Sequence, residues 1–261
     1  MAESTKHHRR NLIALLILVM TLAVGILIGA AVTRKPQEVK EEVRSCFGND
    51  DTFSLLIMGD SQMAGYGWEG GYGNCISETY PNAVVVNLAQ SGSHLTNGEI
   101  LAQWEFYLEQ TDVMPDFILI DGGINDLPYL RREEFQENGM GLISEALGTI
   151  LERIHEDSPD TRIIYTLMPP FAEWKDSLDG PPSYEIQERY WKRLGILASS
   201  YDYVTVLDLF SLNPLHYPCV ECYSESLADS IHLSEAGYRK TFEYINNAIM
   251  PHLAQQPDGH H

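Results

Sequence analysis

Ser54-Leu55-Leu56-Ile57-Met58-Gly59-Asp60-Ser61-Gln62 is the stretch that decides the fold of this chain. Its run of apolar residues between polar neighbours is typical of a central strand in a parallel sheet. Gly59 permits the sharp turn that follows, because glycine has no Cβ to restrict its backbone. Ser61 is then expected at the carboxyl end of the strand, where open α/β sheets bind their ligands.

Further strands are predicted downstream, separated by helices or long loops. The predicted strands are 83–88, 117–120, 162–167 and 204–207. The predicted helices are 97–110 with Asn97 as its N-cap, 133–156, 183–200 with Ser183 as its cap, and 234–250. This alternation predicts an α/β domain with a parallel sheet and right-handed crossovers.

The composition predicts a globular domain and argues against one class of partner. The chain has 261 residues, of which 44% are hydrophobic and 21% are charged, so it can bury a full core. Its formal net charge is −20. No nucleic-acid partner is expected, because nucleic-acid binding relies on basic residues that face phosphates.

Residues 12–32 form an uncharged apolar run that is long enough to span a bilayer. A cleaved signal peptide has a shorter apolar core of about 7–15 residues, so we predict an uncleaved single-pass anchor. The small residues Gly29-Ala30-Ala31 leave cleavage and secretion as the alternative. The basic cluster Lys6-His7-His8-Arg9-Arg10 favours a cytoplasmic N-terminus and an extracytoplasmic domain. The predicted organisation is a tail over 1–11, an anchor over 12–32, a stalk over 33–45 and a globular domain over 46–261.

The chain has four cysteines, Cys46, Cys75, Cys219 and Cys222. An even number in an exported domain predicts disulfides, and we expect the pairs Cys46–Cys75 and Cys219–Cys222. Two alternatives stay open for the second pair. It could be a redox pair, or it could bind zinc together with His216, although that site lacks an obvious fourth ligand.

Polar segments follow three of the predicted strands, and a fourth precedes the last helix. These segments are Gly59-Asp60-Ser61, Ser91-Gly92, Gly123-Ile124-Asn125-Asp126 and Asp229-Ser230-Ile231-His232. The loops at the carboxyl ends of parallel strands lie on one edge of the sheet, so residues that are distant in sequence can meet there.

The residue types in these segments are those of nucleophilic catalysis. Serine is a weak nucleophile until a base takes its proton. Asp229 and His232 are three residues apart, a spacing at which the carboxylate can hold the imidazole and leave Nε2 free for Ser61. Negative charge that develops on a carbonyl oxygen needs hydrogen-bond donors. The candidates are the backbone N–H groups of Ser61 and Gly92 and the side-chain amide of Asn125.

Together these segments resemble the four conserved blocks of the SGNH, or GDSL-type, hydrolase superfamily. Gln62 departs from the pattern, because the family name implies leucine at this position. The resemblance implies a flavodoxin-like three-layer α/β/α sandwich, with a five-stranded parallel sheet in the order 2-1-3-4-5. It also implies that esters are hydrolysed through an acyl-enzyme, with Ser61, Asp229 and His232 as catalytic residues.

The leading hypothesis is a membrane-anchored, extracytoplasmic serine esterase that acts on a small-molecule or glycan ester. A carbohydrate O-acetyl ester is the first substrate to consider. The alternatives are a lysophospholipase or thioesterase, an O-acyltransferase, and a non-catalytic binding protein. An ordinary α/β-hydrolase is disfavoured, because Ser61 lies in no Gly-x-Ser-x-Gly elbow. Nothing in the sequence calls for a metal ion or an organic cofactor.

Other residues near these segments are candidates for the pocket. Asp60 and Asp126 are expected to hold their loops through backbone hydrogen bonds, and His94 could line the pocket. The long loop 171–182 is a candidate pocket wall. Four aromatic residues could form an apolar or sugar-stacking surface, or could instead pack within the domain: Trp68, Tyr72, Phe171 and Trp174.

Overall fold

The computed structural model describes residues 53–127, 136–171, 183–219 and 224–253. The strands are β1 (Ser54–Met58), β2 (Val84–Asn87), β3 (Phe117–Ile120), β4 (Arg162–Leu167) and β5 (Val204–Asp208). The helices are α1 (Ser61–Ala64), α2 (Gly71–Thr79), α3 (Glu99–Gln110), α4 (Gln136–Asp157), α5 (Tyr184–Ala198), α6 (Leu209–Leu212) and α7 (Glu235–Leu253).

The strands form one parallel sheet in the order β2-β1-β3-β4-β5, as predicted. Strand β1 lies inside this sheet, where Leu56 is in register with Val86 of β2 and with Ile118 of β3. The carboxyl ends of β1 and β3 are therefore neighbours, and the segments that follow these two strands begin side by side.

The apolar run of β1 is explained by helices on both faces of the sheet. Leu55 and Ile57 pack into a cluster with α2 and α7, whereas Leu56 and Met58 pack into a second cluster with α3, α4 and α5. All four side chains are fully buried. Burial of each stabilises the fold by about 1.5–3 kcal/mol, which fixes β1 and the turn that follows it.

Two predicted helix starts differ from the structure in detail. Helix α3 begins at Glu99 and follows Gly98, which has a left-handed backbone with φ of 75° and occupies the N-cap position. Asn97 is therefore not the cap, because the glycine takes up the change of chain direction. Ser183 does precede α5, but its side chain makes no capping hydrogen bond.

The predicted Cys46–Cys75 disulfide is wrong, because Cys75 is a free cysteine. Its side chain is 2% exposed and packs in the core cluster of α2 and α7. Burial raises the pKa of the Cys75 thiol to about 11. Cys219 is disulfide-bonded, so it is not a zinc ligand and not part of a reduced pair. Cys46 and Cys222 lie outside the described residues, and the Cys219–Cys222 pairing stays a prediction.

The predicted tail, anchor and stalk also lie outside the described residues and stay predictions. Within the described ranges, no helix combines the length and the apolar character that crossing a bilayer requires.

Candidate active site

A sharp turn at Gly59 places Ser61 just beyond the end of β1. Gly59 has φ of 139°, and a Cβ at this position would lie 2.0 Å from Asp121 Oδ1, so only glycine fits. Asp60 then caps α1, because its Oδ1 accepts the Gln62 N–H at 3.0 Å. Ser61 is the first residue of α1 and is 6% exposed.

A buried glutamine on α3 holds the same turn. The Gly59 N–H donates to Gln103 Oε1 at 2.8 Å, and Gln103 Nε2 donates to the Gly59 carbonyl at 2.8 Å. The side chain thus satisfies both backbone groups of Gly59. The sequence analysis missed this residue. The available signal was a polar side chain at 103 on the apolar face of a helix, between Ile100 and Trp104.

His232 lies at the end of a tight turn before α7. Residues 226–228 and 232–234 run antiparallel and exchange backbone hydrogen bonds, so the residues between them form a compact turn. Within the turn, Asp229 Oδ1 accepts the N–H groups of Ile231 at 2.8 Å and of His232 at 2.7 Å. These bonds fix the carboxylate relative to the imidazole.

One hydrogen-bonded chain joins the three residues predicted to be catalytic. His232 Nδ1 lies 2.7 Å from Asp229 Oδ2, and His232 Nε2 lies 2.9 Å from Ser61 Oγ. A neutral imidazole that carries its proton on Nδ1 satisfies both contacts. Partial burial alone would raise the pKa of Asp229, but the hydrogen bonds from His232 and from the backbone lower it. The carboxylate therefore stays ionised beside Nδ1.

The segments that follow β2 and β3 are also joined. Asn125 Nδ2 donates to the Ser93 carbonyl at 2.8 Å, which leaves its second amide hydrogen for another acceptor. Gly92 is exposed and has φ of 85°, with open space where a Cβ would stand. Glycine is favoured at position 92 because the backbone is left-handed there, and not because a side chain would be crowded.

Comparison with known proteins gives the family. Residues 57–240 match the GDSL-like lipase/acylhydrolase family. The chain belongs to this family. The matched region contains all four segments that the sequence analysis singled out, and the predicted membership of the SGNH hydrolase superfamily is confirmed. The family is one of ester-hydrolysing enzymes. No curated protein matches the sequence significantly.

Solved structures share the fold of this GDSL-family chain. A lipase/acylhydrolase from Enterococcus faecalis is 20% identical, with a TM-score of 0.57, and the match covers 77% of this chain and 96% of that one. An acetylxylan esterase from Geobacillus stearothermophilus, solved as a catalytic mutant, is also 20% identical, with a TM-score of 0.54 and coverage of 76% and 94%. At this level of identity the likeness concerns the fold alone.

The sequence analysis also assigned roles to Asp126 and His94, near the GDSL-family site. Asp126 accepts the Leu95 N–H at 2.9 Å and the Thr96 hydroxyl at 2.6 Å, which confirms that it holds a loop, the one that follows β2. His94 Nδ1 lies 3.1 Å from Glu99 Oε2. A role for His94 in the pocket stays a prediction.

Two buried carboxyl groups lie behind the nucleophile turn. Asp121 Oδ1 accepts the Asp60 N–H at 3.2 Å, and the Oδ2 atoms of both residues have no hydrogen-bond partner within the described residues. Burial raises the pKa of Asp60 to about 7. Burial and the neighbouring charge of Asp60 also raise the pKa of Asp121. The sequence analysis missed Asp121, although an acid directly after a wholly apolar strand was a signal.

This pair makes the folded state sensitive to pH. The pKa of Asp60 rises from 3.8 in its ordinary setting to about 7, so the folded protein holds the proton more tightly than the unfolded chain. The resulting stability is full below about pH 4 and is lost as the pH rises through about 7.

Asp121→Asn removes one of the two buried ionisable groups and should increase stability at alkaline pH. We expect the free energy of unfolding to rise by about 1–2 kcal/mol at about pH 8, with a smaller change at about pH 5. Urea denaturation at both pH values measures this. The control is Asp160→Asn at an exposed position, which should change neither value. A loss of stability at pH 8 in Asp121→Asn would contradict the account.

Of the two alternatives for the aromatic residues, a pocket wall or packing, the structure shows packing for two of them. Tyr72 and Phe171 are fully buried core residues. Trp68 packs against Tyr238 and lies beneath the guanidinium of Arg239, 5.0 Å from the ring centroid. Trp174 lies outside the described residues.

A different aromatic residue lies beside the imidazole. The Tyr66 ring is 65% exposed, and its centroid is 4.2 Å from that of His232. Tyr66 directly follows the last turn of α1, and its N–H donates to the Ser61 carbonyl at 3.0 Å. This bond holds Tyr66 close to the nucleophile. The sequence analysis did not single out Tyr66.

Proposed function

We propose that the chain is a serine esterase that hydrolyses carboxylic esters through an acyl-enzyme. Ser61 is the nucleophile, His232 the general base, and Asp229 the residue that orients the imidazole. The observation that carries the proposal is the hydrogen-bonded chain from Ser61 Oγ through both ring nitrogens of His232 to Asp229. A non-catalytic binding protein would need no such chain.

The reaction would proceed in two stages. Ser61 Oγ attacks the ester carbonyl while His232 Nε2 takes its proton, and the Asp229 carboxylate stabilises the imidazolium that forms. When the tetrahedral intermediate collapses, His232 gives this proton to the departing alcohol. A water molecule then attacks the acyl-enzyme with His232 again as base, which releases the acid and restores Ser61.

Negative charge develops on the carbonyl oxygen in both stages. We assign its stabilisation to the N–H groups of Ser61 and Gly92 and to the second amide hydrogen of Asn125. Donors of this kind stabilise the transition state when they are in place before the charge appears.

Asn125→Ala should lower kcat by about 10²–10³-fold with a smaller change in KM, as removal of one oxyanion donor does elsewhere. Steady-state hydrolysis of an aryl acetate measures both constants. Asn74→Ala is a matched control, because the Asn74 amide also donates to a loop carbonyl, that of Glu69. A kcat for Asn125→Ala equal to that of the control would remove Asn125 from the oxyanion site.

We further propose that the substrate is a carbohydrate O-acetyl ester. The exposed Tyr66 ring beside His232 supports this proposal, because aromatic faces pack well against sugar rings. The fold shared with an acetylxylan esterase is compatible with it. The alternatives are a lysophospholipase or thioesterase, and an O-acyltransferase that passes the acyl group to an alcohol instead of water.

A series of acyl chains on one alcohol tests the proposed substrate class. The full-length protein in detergent is assayed with p-nitrophenyl acetate, butyrate, octanoate and palmitate, and then with acetylated xylo-oligosaccharides. We expect kcat/KM to be highest for acetate, and acetate to be released from the oligosaccharide. A preference for palmitate would favour the lysophospholipase alternative. Transfer of acetyl to an added alcohol, without free acetate, would favour the transferase.

We propose that residues 12–32 anchor the enzyme in the membrane with its hydrolase domain outside the cytoplasm. The apolar run and the basic cluster before it support this arrangement, and the disulfide at Cys219 is typical of an oxidising compartment. Protease added to intact cells should digest the hydrolase domain. A domain that is degraded only after lysis would contradict the proposal.

A further inference from the structure

The residue after the nucleophile contacts the backbone on both sides of His232. Gln62 Nε2 donates to the Ile231 carbonyl at 2.8 Å, and the Leu233 N–H donates to Gln62 Oε1 at 3.4 Å. The Gln62 side chain is fully buried. One amide thus joins the first residues of α1 to the turn that carries the imidazole, across 169 and 171 positions of sequence.

Gln62 is itself held from two directions. Its N–H donates to Asp60 Oδ1 at 3.0 Å, and its carbonyl accepts the Tyr238 hydroxyl at 2.6 Å. A side chain on such a fixed backbone can act as a rigid spacer. Without its amide, the Ile231 carbonyl and the Leu233 N–H would lose a buried partner, and the turn would be free to relax.

We propose that Gln62 is a positioning residue that sets His232 Nε2 at hydrogen-bond distance from Ser61 Oγ. This inference rests on the proposed function. Leucine, which the family name implies here, cannot form either hydrogen bond, so this chain holds its histidine turn with a polar link that leucine could not provide. Small displacements of a base from its nucleophile are costly, because proton transfer requires a heavy-atom separation of about 2.6–3.2 Å.

The test compares Gln62→Met and Gln62→Leu with the wild type in the full-length protein. Both variants keep an apolar stem of similar size, and leucine is the residue that the family name implies. We expect kcat per folded molecule to fall by about tenfold or more, with KM changing by less than about threefold. The low-field proton resonance of the His232 Nδ1–H, assigned by its loss in His232→Ala, should weaken or shift in both variants.

Gln187→Met is the matched control. Gln187 is also fully buried, donates from Nε2 to the Phe171 carbonyl at 2.8 Å and accepts the Phe171 N–H at 3.1 Å. This variant should lose stability in the same way, while keeping its kcat per folded molecule and the low-field signal.

Two results would overturn the positioning role. One is a wild-type kcat per folded molecule in Gln62→Met and Gln62→Leu. The other is an equal loss of kcat in Gln187→Met. Ser61→Ala, assayed alongside, separates this inference from the proposed function. If Ser61→Ala is inactive and the Gln62 variants are fully active, only the positioning role fails. If Ser61→Ala remains active, the serine mechanism itself fails.

Discussion

Replacement of Ser61 by alanine should lower the hydrolysis of an aryl acetate by about 10⁴–10⁶-fold. The change removes the oxygen that lies 2.9 Å from His232 Nε2 and that would carry the acyl group. Residual activity would come from the remaining oxyanion donors and from substrate binding. Because alanine is smaller and favours helices, α1 should still form and the protein should stay folded.

Steady-state kinetics with circular dichroism as a folding check measures this effect. Ser230→Ala is the control, because Ser230 lies in the turn of Asp229 and His232 but is not part of the hydrogen-bonded chain. The control should keep nearly full activity. Turnover of Ser61→Ala within about tenfold of the wild type would mean that another group is the nucleophile.

Asp229→Asn should lower kcat by about 10⁴-fold, because it reverses the tautomer of His232. The asparagine carbonyl can still accept the backbone N–H groups of Ile231 and His232, so the turn is preserved. Its amide then faces Nδ1 as a donor in place of the Oδ2 acceptor. The imidazole responds by carrying its proton on Nε2, from which it cannot take the proton of Ser61.

Asp208→Asn is the matched control for this effect. Asp208 is also an acid whose Oδ1 accepts a backbone N–H: it lies at the end of β5 and caps α6 by accepting the Ser211 N–H at 2.9 Å. Asparagine caps equally well, so both stability and kcat should stay close to wild type. If Asp229→Asn retains a wild-type kcat in the same assay, the orienting role of Asp229 is wrong.

Local sequence was sufficient for much of the fold. The run from Ser54 to Met58 is apolar on both faces, which is the signature of a strand covered by helices on either side. The turn at Gly59 and the position of Ser61 follow from the same stretch. The Asp229–His232 spacing was informative for a similar reason, because both side chains belong to one turn.

What the sequence could not show depends on partners that are far apart along the chain. Gln62 contacts the histidine turn across more than 160 positions, and Gln103 contacts Gly59 from α3. A glutamine looks the same in sequence whether it is exposed or satisfies a buried backbone group. Tyr66 and Tyr72 lie in one glycine-rich region, yet one is exposed beside His232 and the other is buried.

The predicted Cys46–Cys75 disulfide was wrong for a related reason. The count of four was even, but pairing depends on which side chains can approach each other, and the packing of α2 directs Cys75 into the core. Count and compartment predict that disulfides form, whereas only three-dimensional position decides which cysteines form them.

The central claim is that His232 activates Ser61. An aryl fluorophosphonate tests it directly, because the reagent bonds covalently to a serine that a neighbouring base has activated. Peptide mass mapping of the full-length protein should find one adduct, on the peptide that contains Ser61, and His232→Ala should form it at least about 10³-fold more slowly. An adduct on another serine, or labelling of Ser61 at an unchanged rate in His232→Ala, would contradict the account.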